Sequence, residues 1–476
     1  MSTETIETDI CVIGGGSGGL SVAAGAVQMG ARVVLIERGA MGGDCLNTGC
    51  VPSKALLAAA HTAQSVRDAG RFGIEAGEPR TDWGRVHDHV HEVIAAIAPN
   101  DSVERFERLG VRVLQADASF VDGRTVAAGE ARVRAKYFVV ATGSAPFVPP
   151  IEGLEEVAFF TNENIFDNRE PIDHLLVVGG GPIGIELAQA HRRLGARVTV
   201  LEAARLLMKD DRECAQVVIE RLRREGIVFY EGGRDLRLAR SGEGAIEVRC
   251  AAEAGEVCVT GSHLLIATGR RANVAGLNLE AAGVAYDGRG ITVDGRLRSS
   301  NARIYAVGDV AGPYQFTHMA AYQAGIVLRN ILFKLPAKVD YRAVPWVTYT
   351  DPELAHVGMR EADARDRGID ARVLRLPLAE NDRAQAERRS EGLIKVVATR
   401  GGRILGATIV GQHAGELLQP WVVAVARGMK IGAMASAIAP YPTRSEASKR
   451  VAGSFFSDKL FSPTTQRLVR WLLRLS

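Results

Sequence analysis

Long hydrophobic runs are missing from this chain. No stretch of about 20 uninterrupted apolar residues occurs in its 476 residues, which argues against a membrane-spanning helix. Cysteine is scarce: six in so long a chain do not make the disulfide scaffold of a small secreted protein. Charge of one sign is also missing. A formal net charge of +3 leaves no argument for nucleic-acid binding, which calls for a basic stripe. The opening MSTETIETDI is polar and acidic, so no secretory signal is expected, and the chain reads as a cytoplasmic enzyme. With 47% hydrophobic and 24% charged residues it has the balance of an ordinary globular protein, and its length calls for three or four domains.

What is present is an internal echo. DICVIGGGSGGLSVAAGAVQMGARVVLIERG (9–39) and HLLVVGGGPIGIELAQAHRRLGARVTVLEAA (174–204) share one pattern. A β-branched run leads to a glycine turn, a helix-period stretch, a second β run and a glutamate, which is a βαβ unit written twice. Each copy has a later partner, KYFVVATGSAPFVPP (136–150) and HLLIATGRRANVAGL (263–277), in which an apolar strand enters an Ala-Thr-Gly turn. RIYAVGDVAG (303–312) is a further strand entering a Gly-Asp turn. After Tyr341 the glycine fingerprints stop.

Gly14, Gly16 and Gly19 form GxGxxG directly after the strand Ile10–Ile13. The first glycine permits the tight turn, the second lets a pyrophosphate approach the backbone, and the third permits close helix–strand packing. The phosphate then lies at the positive end of the helix. Glu37 ends the next strand, where it can accept a hydrogen bond from a ribose hydroxyl. Gly179, Gly181, Gly184 and Glu202 repeat the arrangement, so two dinucleotides are expected. A carboxylate at Glu202 repels a 2′-phosphate, which favours NAD(H) over NADP(H). Arg205 lies close enough in sequence to temper that preference.

GGDCLNTGCVPSK (42–54) holds Cys45 and Cys50. Taken alone, the pair is open to three readings: a zinc half-site, a structural disulfide, or two unrelated thiols. Structural zinc wants four ligands, and Cys11, Cys214, Cys250 and Cys258 supply none at ligand spacing; no metal site is expected. Two dinucleotides beside a cysteine pair suggest an electron path from nicotinamide to flavin to disulfide.

This segment resembles the redox-active segment of the flavoprotein disulfide reductases (pyridine nucleotide-disulfide oxidoreductases), and the chain looks most like the dihydrolipoamide dehydrogenase and mercuric reductase branch. The resemblance spans both fingerprints, both Ala-Thr-Gly turns, the Gly-Asp turn and a C-terminal region from YTDPELAHVG (349–358). It implies an α/β fold with two Rossmann-like domains, for FAD and NAD(P), and a C-terminal α+β dimerisation domain. The expected division is 1–150 and 271–340 for FAD, 151–270 for NAD(P), and 341–476 for dimerisation. It implies a Cys45–Cys50 redox disulfide, with Cys50 against the flavin as a charge-transfer thiolate and Cys45 as the outer interchange thiol. A helix N-terminus nearby would favour the thiolate. Lys54 matches the family lysine near the reactive flavin nitrogen, and Glu186 the glutamate that pairs with it. Asp309 matches the aspartate that binds the ribityl chain of FAD, with Gln315–His318 beyond it near the isoalloxazine. Gly143 and Gly269 close turns against flavin and nicotinamide, and Ala116 falls where relatives contact adenine through the main chain.

The C-terminal IAPYPTRSEASKR (438–450) departs from the family. Disulfide-exchanging relatives carry His-Pro-Thr and a glutamate five positions after the histidine, given by the other subunit of a homodimer as acid–base partner of the interchange thiol. Pro442, Thr443 and Glu446 match; Tyr441 replaces the histidine. Phenol titrates near ~10 and imidazole near ~6.5, so a tyrosine is a poor proton shuttle at neutral pH. His356 and His413 are expected in core or surface roles. Mercuric reductases have a tyrosine in this region, and GPYQFTHMAAYQAG (312–325) resembles that branch. Yet this chain lacks their C-terminal cysteine pair and an N-terminal metal-binding CxxC domain.

SPTTQRLVRWLLRLS (462–476) reads as an amphipathic helix, with Arg467, Arg470 and Arg474 on one side and Leu468, Trp471, Leu472 and Leu475 on the other. Its two readings are packing on the chain's own dimer and weak contact of 463–476 with an anionic membrane surface. In HDHVHE (87–92) the three histidines are expected not to share a helix face and to be solvated. The expected protein is a homodimeric oxidoreductase using FAD and NAD(H), with a disulfide/dithiol or other acceptor. The alternatives are a mercuric-reductase-like metal-ion or quinone reductase, and a flavin/disulfide redox sensor with little turnover.

Overall fold

A computed structural model describes residues 4–253 and 255–475. The chain gathers into two compact units: one runs to Ala203 and resumes over Gly232–Val339, and the other is Ala204–Glu231 with the chain from Asp340 on.

In the first unit, continuous runs of buried, largely β-branched residues build a parallel sheet. The strand Glu4–Ile13 lies between Val33–Glu37 and Ala131–Val140, with Arg112–Gln115 beyond the former and Ile304–Ala306 beside the latter. Thr125–Ala128 and Ala118–Asp122 extend the sheet antiparallel. Ile10, Cys11, Val12, Val139 and Val140 are fully or nearly fully buried, as expected of strands covered on both faces. The helix Ser17–Gln28 crosses from the first strand to the second.

The second βαβ copy repeats this in parallel pairing. His174–Val178 lies between Arg197–Leu201 and His263–Ile266, with the helix Pro182–Arg193 as its crossover. An antiparallel meander, Arg234–Ser241, Ala245–Ala252 and Gly255–Gly261, precedes the last of these strands.

The second unit has a five-stranded antiparallel sheet ordered Pro345–Thr348, Glu353–Gly358, Ile404–Gly411, Leu393–Thr399, Ala371–Pro377. Helices Gln419–Ala426 and Glu446–Ser454 close its core around Trp421, whose indole N–H donates to Ser448 at 3.1 Å. The helix Arg212–Arg224 joins this unit through charge. Lys395, whose side chain is 5% exposed on the strand Leu393–Thr399, lies 2.9 Å from Asp211, 3.0 Å from Glu213 and 2.7 Å from Glu361. A buried ammonium needs such company to offset its desolvation. Among the described residues, no helix is long and apolar enough to cross a membrane.

Candidate active site

The two glycine fingerprints adopt one geometry. Gly14 and Gly179 take φ of +109° and +120°, and a Cβ on either would strike a carbonyl, of Ala141 or Ala267. A Cβ on Gly19 or Gly184 would strike the carbonyl of Gly14 or Gly179. The terminal glutamates also correspond: Glu37 accepts from the amide of Gly15, and Glu202 from that of Gly180. Glu37 accepts from Gly39 as well, at 2.7 Å. Ala116 donates its amide to the Glu37 carbonyl at 3.0 Å, which places it beside that carboxylate-bearing strand end.

The cysteine segment is fastened to the first glycine turn by backbone. Gly42 donates to the Gly15 carbonyl at 2.9 Å, and a Cβ on Gly43 would lie 2.7 Å from Gly16 Cα. Gly42, at φ +89°, opens the short helix Gly43–Asn47 that carries Cys45. Cys50 is the first residue of the helix Cys50–Asp68, so its sulfur sits at the positive helix end.

Both sulfurs are thiols in this structure. Cys50 is exposed, and the hydrogen bond from Cys45 lowers its thiol below the ordinary range, with Thr317 and the charge of Lys54 adding and desolvation and Asp44 opposing. Cys50 Sγ lies 3.5 Å from Thr317 Oγ1. The same bond to Cys50, followed by burial, pushes Cys45 well above the ordinary thiol range. The two sulfurs are thus unequal in their surroundings: the helix N-terminus, Thr317 and Lys54 all favour negative charge on Cys50.

Lys54, one helical turn beyond Cys50, ion-pairs with Glu186 of the second βαβ helix at 2.9 Å. Glu186 is 7% exposed in its side chain, so the pair is a largely buried anchor. Asp309 is the aspartate of the Gly-Asp turn and accepts from Ser144 Oγ at 2.5 Å; burial raises its carboxyl. Gln315 is half-buried, and His318 is exposed and stacks on Phe316.

Several residues in this arrangement carried no signal in the sequence. Thr317, by contrast, falls inside the Gln315–His318 stretch that the resemblance sets near the isoalloxazine; it opens the helix Thr317–Leu332, and the fold sets it against Cys50. Arg270 donates to the Ser144 side chain and carbonyl at 2.7 Å each, and reaches Asp44 at 3.2 Å. Asn162 donates to Asp44 and to the Thr48 carbonyl, each at 3.0 Å. Arg270 follows Gly269 directly, and that position was the only available hint.

Tyr441 and Glu446 lie in the second unit. Tyr441 is 70% exposed, and its hydroxyl donates to Asp382 at 3.0 Å, an acceptor that pushes the phenol above its usual range. Glu446, half-buried, opens the helix Glu446–Ser454. His356 is buried, bonded to Thr408 at 2.8 Å and the Gly358 carbonyl at 3.0 Å; desolvation lowers it to about 4. His413 sits at φ +59° ahead of a short helix. The expectation for HDHVHE needs correction: His87 and His91 do share a face, stacked at 3.9 Å, because four residues make slightly more than one helical turn. His89 points elsewhere, to the Ala55 carbonyl at 3.2 Å. Among the described residues no cluster of three or more His, Cys, Asp or Glu is arranged to hold a metal ion.

The glycine turns also leave open backbone. A Cβ added at Gly143, Gly181 or Gly269 would meet nothing within 4 Å, and Gly143 and Gly269 have φ of +67° and +138°. Bare amide-rich turns beside a helix N-terminus suit a pyrophosphate, so these residues fit bound dinucleotides.

Residues 8–324 match the family described as pyridine nucleotide-disulphide oxidoreductase, and residues 344–452 match that family's dimerisation domain. The chain is 36% identical over 458 residues to a mercuric reductase of Streptomyces lividans, spanning 94% of this chain and 96% of that protein. It is 32% identical over 461 residues to a dihydrolipoyl dehydrogenase of Geobacillus stearothermophilus, spanning 94% and 96%. It is also similar to the Cu(II) complex of the HOCl-induced flavoprotein disulfide reductase RclA from Escherichia coli. That match has a TM-score of 0.83 at 27% identity, over 94% of this chain and 99% of that one.

Proposed function

The chain belongs to the pyridine nucleotide-disulfide oxidoreductase family, and on that premise we propose a homodimeric enzyme that moves electrons from NADH through Cys45 and Cys50 to an acceptor. The family is FAD-dependent and uses a pyridine nucleotide. The observation that carries the reading is the inequality of the two sulfurs: Cys50 sits at a helix N-terminus beside Thr317 and within the field of Lys54.

Gly14, Gly16, Gly19, Glu37, Ala116, Gly143, Asp309, Gln315 and His318 would hold FAD. Gly179, Gly181, Gly184, Glu202 and Gly269 would hold the nicotinamide nucleotide. FAD, when bound, supplies two-electron transfer between nicotinamide and the cysteine pair. The residues do the rest. In the oxidised pair the Cys45–Cys50 bond takes two electrons and opens. Cys50 then keeps the thiolate, while Cys45 keeps a proton and, on losing it, attacks the acceptor. Lys54 anchors the Cys50 helix to the nucleotide-binding half through Glu186. Glu202 disfavours a 2′-phosphate and so supports NAD(H). The family's dimerisation domain supports a homodimer, and a cytoplasmic location goes with the proposal.

The partner is a disulfide/dithiol couple, which accepts two electrons as the disulfide, or another oxidant. One observation favours the second reading, a metal-ion or quinone reductase. The Tyr441 phenol is tied to Asp382 and held protonated, so a disulfide's leaving thiolate would receive no ready proton from it. A thiolate-bound soft metal ion needs none. Relatives named mercuric reductase and the Cu(II) complex of RclA are in keeping with this. A redox sensor with little turnover is the third reading.

Anaerobic titration with NADH, followed by thiol counting and a panel of lipoamide, glutathione disulfide, Hg²⁺ and quinones, tests the relay. The expected result is two new thiols on reduction, lost in Cys50→Ser, and rapid turnover with one acceptor class. An unchanged thiol count would sink the relay; slow turnover with every acceptor would leave the sensor.

A further inference from the structure

Beyond the end of the matched dimerisation domain at residue 452, the chain builds a helix, Pro463–Leu472. The helix is locally well specified. Ser462 caps it, accepting from the Thr465 amide at 3.2 Å, and Pro463 occupies its first turn. Its apolar residues find no core. Leu468, Trp471 and Leu472 fall at spacings of three and four, and each is about half exposed, at 53%, 56% and 49%. Leu473 and Leu475 are exposed still further.

Arg467 and Arg470 make their hydrogen bonds to carbonyls of their own helix, those of Pro463 and Gln466. Charge in this segment has one sign: Lys459, Arg467, Arg470 and Arg474 are cations, and no Asp or Glu follows Asp458. An arginine stripe beside a leucine and tryptophan face fits a surface that is anionic outside and apolar beneath. Phospholipid headgroups over acyl chains meet that description, and tryptophan settles at that boundary. A second copy of the helix would instead bring like charges together.

We propose that residues 463–475 dock the protein on an anionic phospholipid surface, with Leu468, Trp471, Leu472 and Leu475 entering the headgroup boundary and the arginines pairing with lipid phosphates. The proposal stands independently of which acceptor the cysteine pair serves.

The test is co-sedimentation of the full-length, FAD-loaded protein with vesicles. One set contains phosphatidylglycerol and phosphatidylcholine at about one to three; the other is phosphatidylcholine alone. The expected result is about tenfold more protein on the anionic set, falling as salt is raised. Two variants keep helix propensity: Leu468→Glu with Leu472→Glu, and Arg467→Glu with Arg470→Glu. Each should fall to the neutral-vesicle level with particle mass by light scattering and NADH oxidation unchanged. Equal sedimentation with both vesicle sets would overturn the proposal, as would retained binding in both variants. A halved particle mass in the leucine variant would assign the helix to a second copy of the chain and overturn it equally.

Discussion

The Arg270 guanidinium lies 3.2 Å from Asp44 Oδ1 and 3.8 Å from Asp309 Oδ2. One buried cation, 11% exposed in its side chain, therefore joins the helix of Cys45 to the Gly-Asp turn. Asp44 opposes the Cys50 thiolate, and Arg270 offsets that negative charge. Arg270→Gln should destabilise the protein by about 1–3 kcal/mol, the cost of stranding buried polar groups. It should also raise the pH midpoint for alkylation of Cys50 in reduced protein. Adding Asp44→Asn should return the midpoint; a midpoint that ignores both changes would disconnect the pair from the thiol.

Alkylation of Cys50 in the reduced protein should rise with pH through a midpoint below the ordinary thiol range, because its pKa is lowered and the reactive thiolate appears above that value. Thr317→Val removes a hydrogen bond to the charged form, worth about 1.5–3 kcal/mol, and should move the midpoint up by about one pH unit or more. Stopped-flow alkylation across pH measures both.

Lys54→Met leaves the Glu186 carboxylate, 7% exposed, without this cation. The expected loss exceeds that of Glu186→Gln, which leaves an ammonium 36% exposed and able to reach water. Urea unfolding of the two variants checks the order, and equal losses would place the anchor elsewhere.

Asp210, 3% exposed, is raised to about 6 by burial, although Trp346 Nε1 donates to it at 2.8 Å and Arg360 and Arg205 oppose the shift. A raised carboxyl contributes stability that is fully present below its unfolded pKa near ~4 and lost as pH climbs through 6. Asp210→Asn should therefore flatten stability between about pH 4 and 6 and add roughly 2–3 kcal/mol at pH 7. Thermal melts across that range would reveal it.

Tyr441→His replaces a phenol held by Asp382 with a group titrating near ~6.5. Lipoamide or glutathione-disulfide turnover should rise by about tenfold or more, within the range ascribed to general acid–base catalysis. No rise with either substrate would mean that the proton shuttle is not what limits exchange.

The sequence by itself determined the two dinucleotide turns, because their constraint is local. Gly14, Gly19, Gly179 and Gly184 are glycines since a Cβ would strike backbone a few residues away or on the adjoining strand. Cys45, Cys50, Lys54 and Glu186 were legible through family resemblance, and the structure brings the last two together across 132 positions. Arg270, Asn162 and Ser144 were not legible, and of Thr317 only its place near the flavin ring was. They are common polar residues whose significance comes from partners more than 100 positions away. Nor could periodicity show that Asp211 and Glu213 fasten their helix to Lys395 on a distant strand. Only the tertiary structure decided such pairings, because burying a charge selects whichever opposite charge the fold brings near, and sequence distance does not enter that energy.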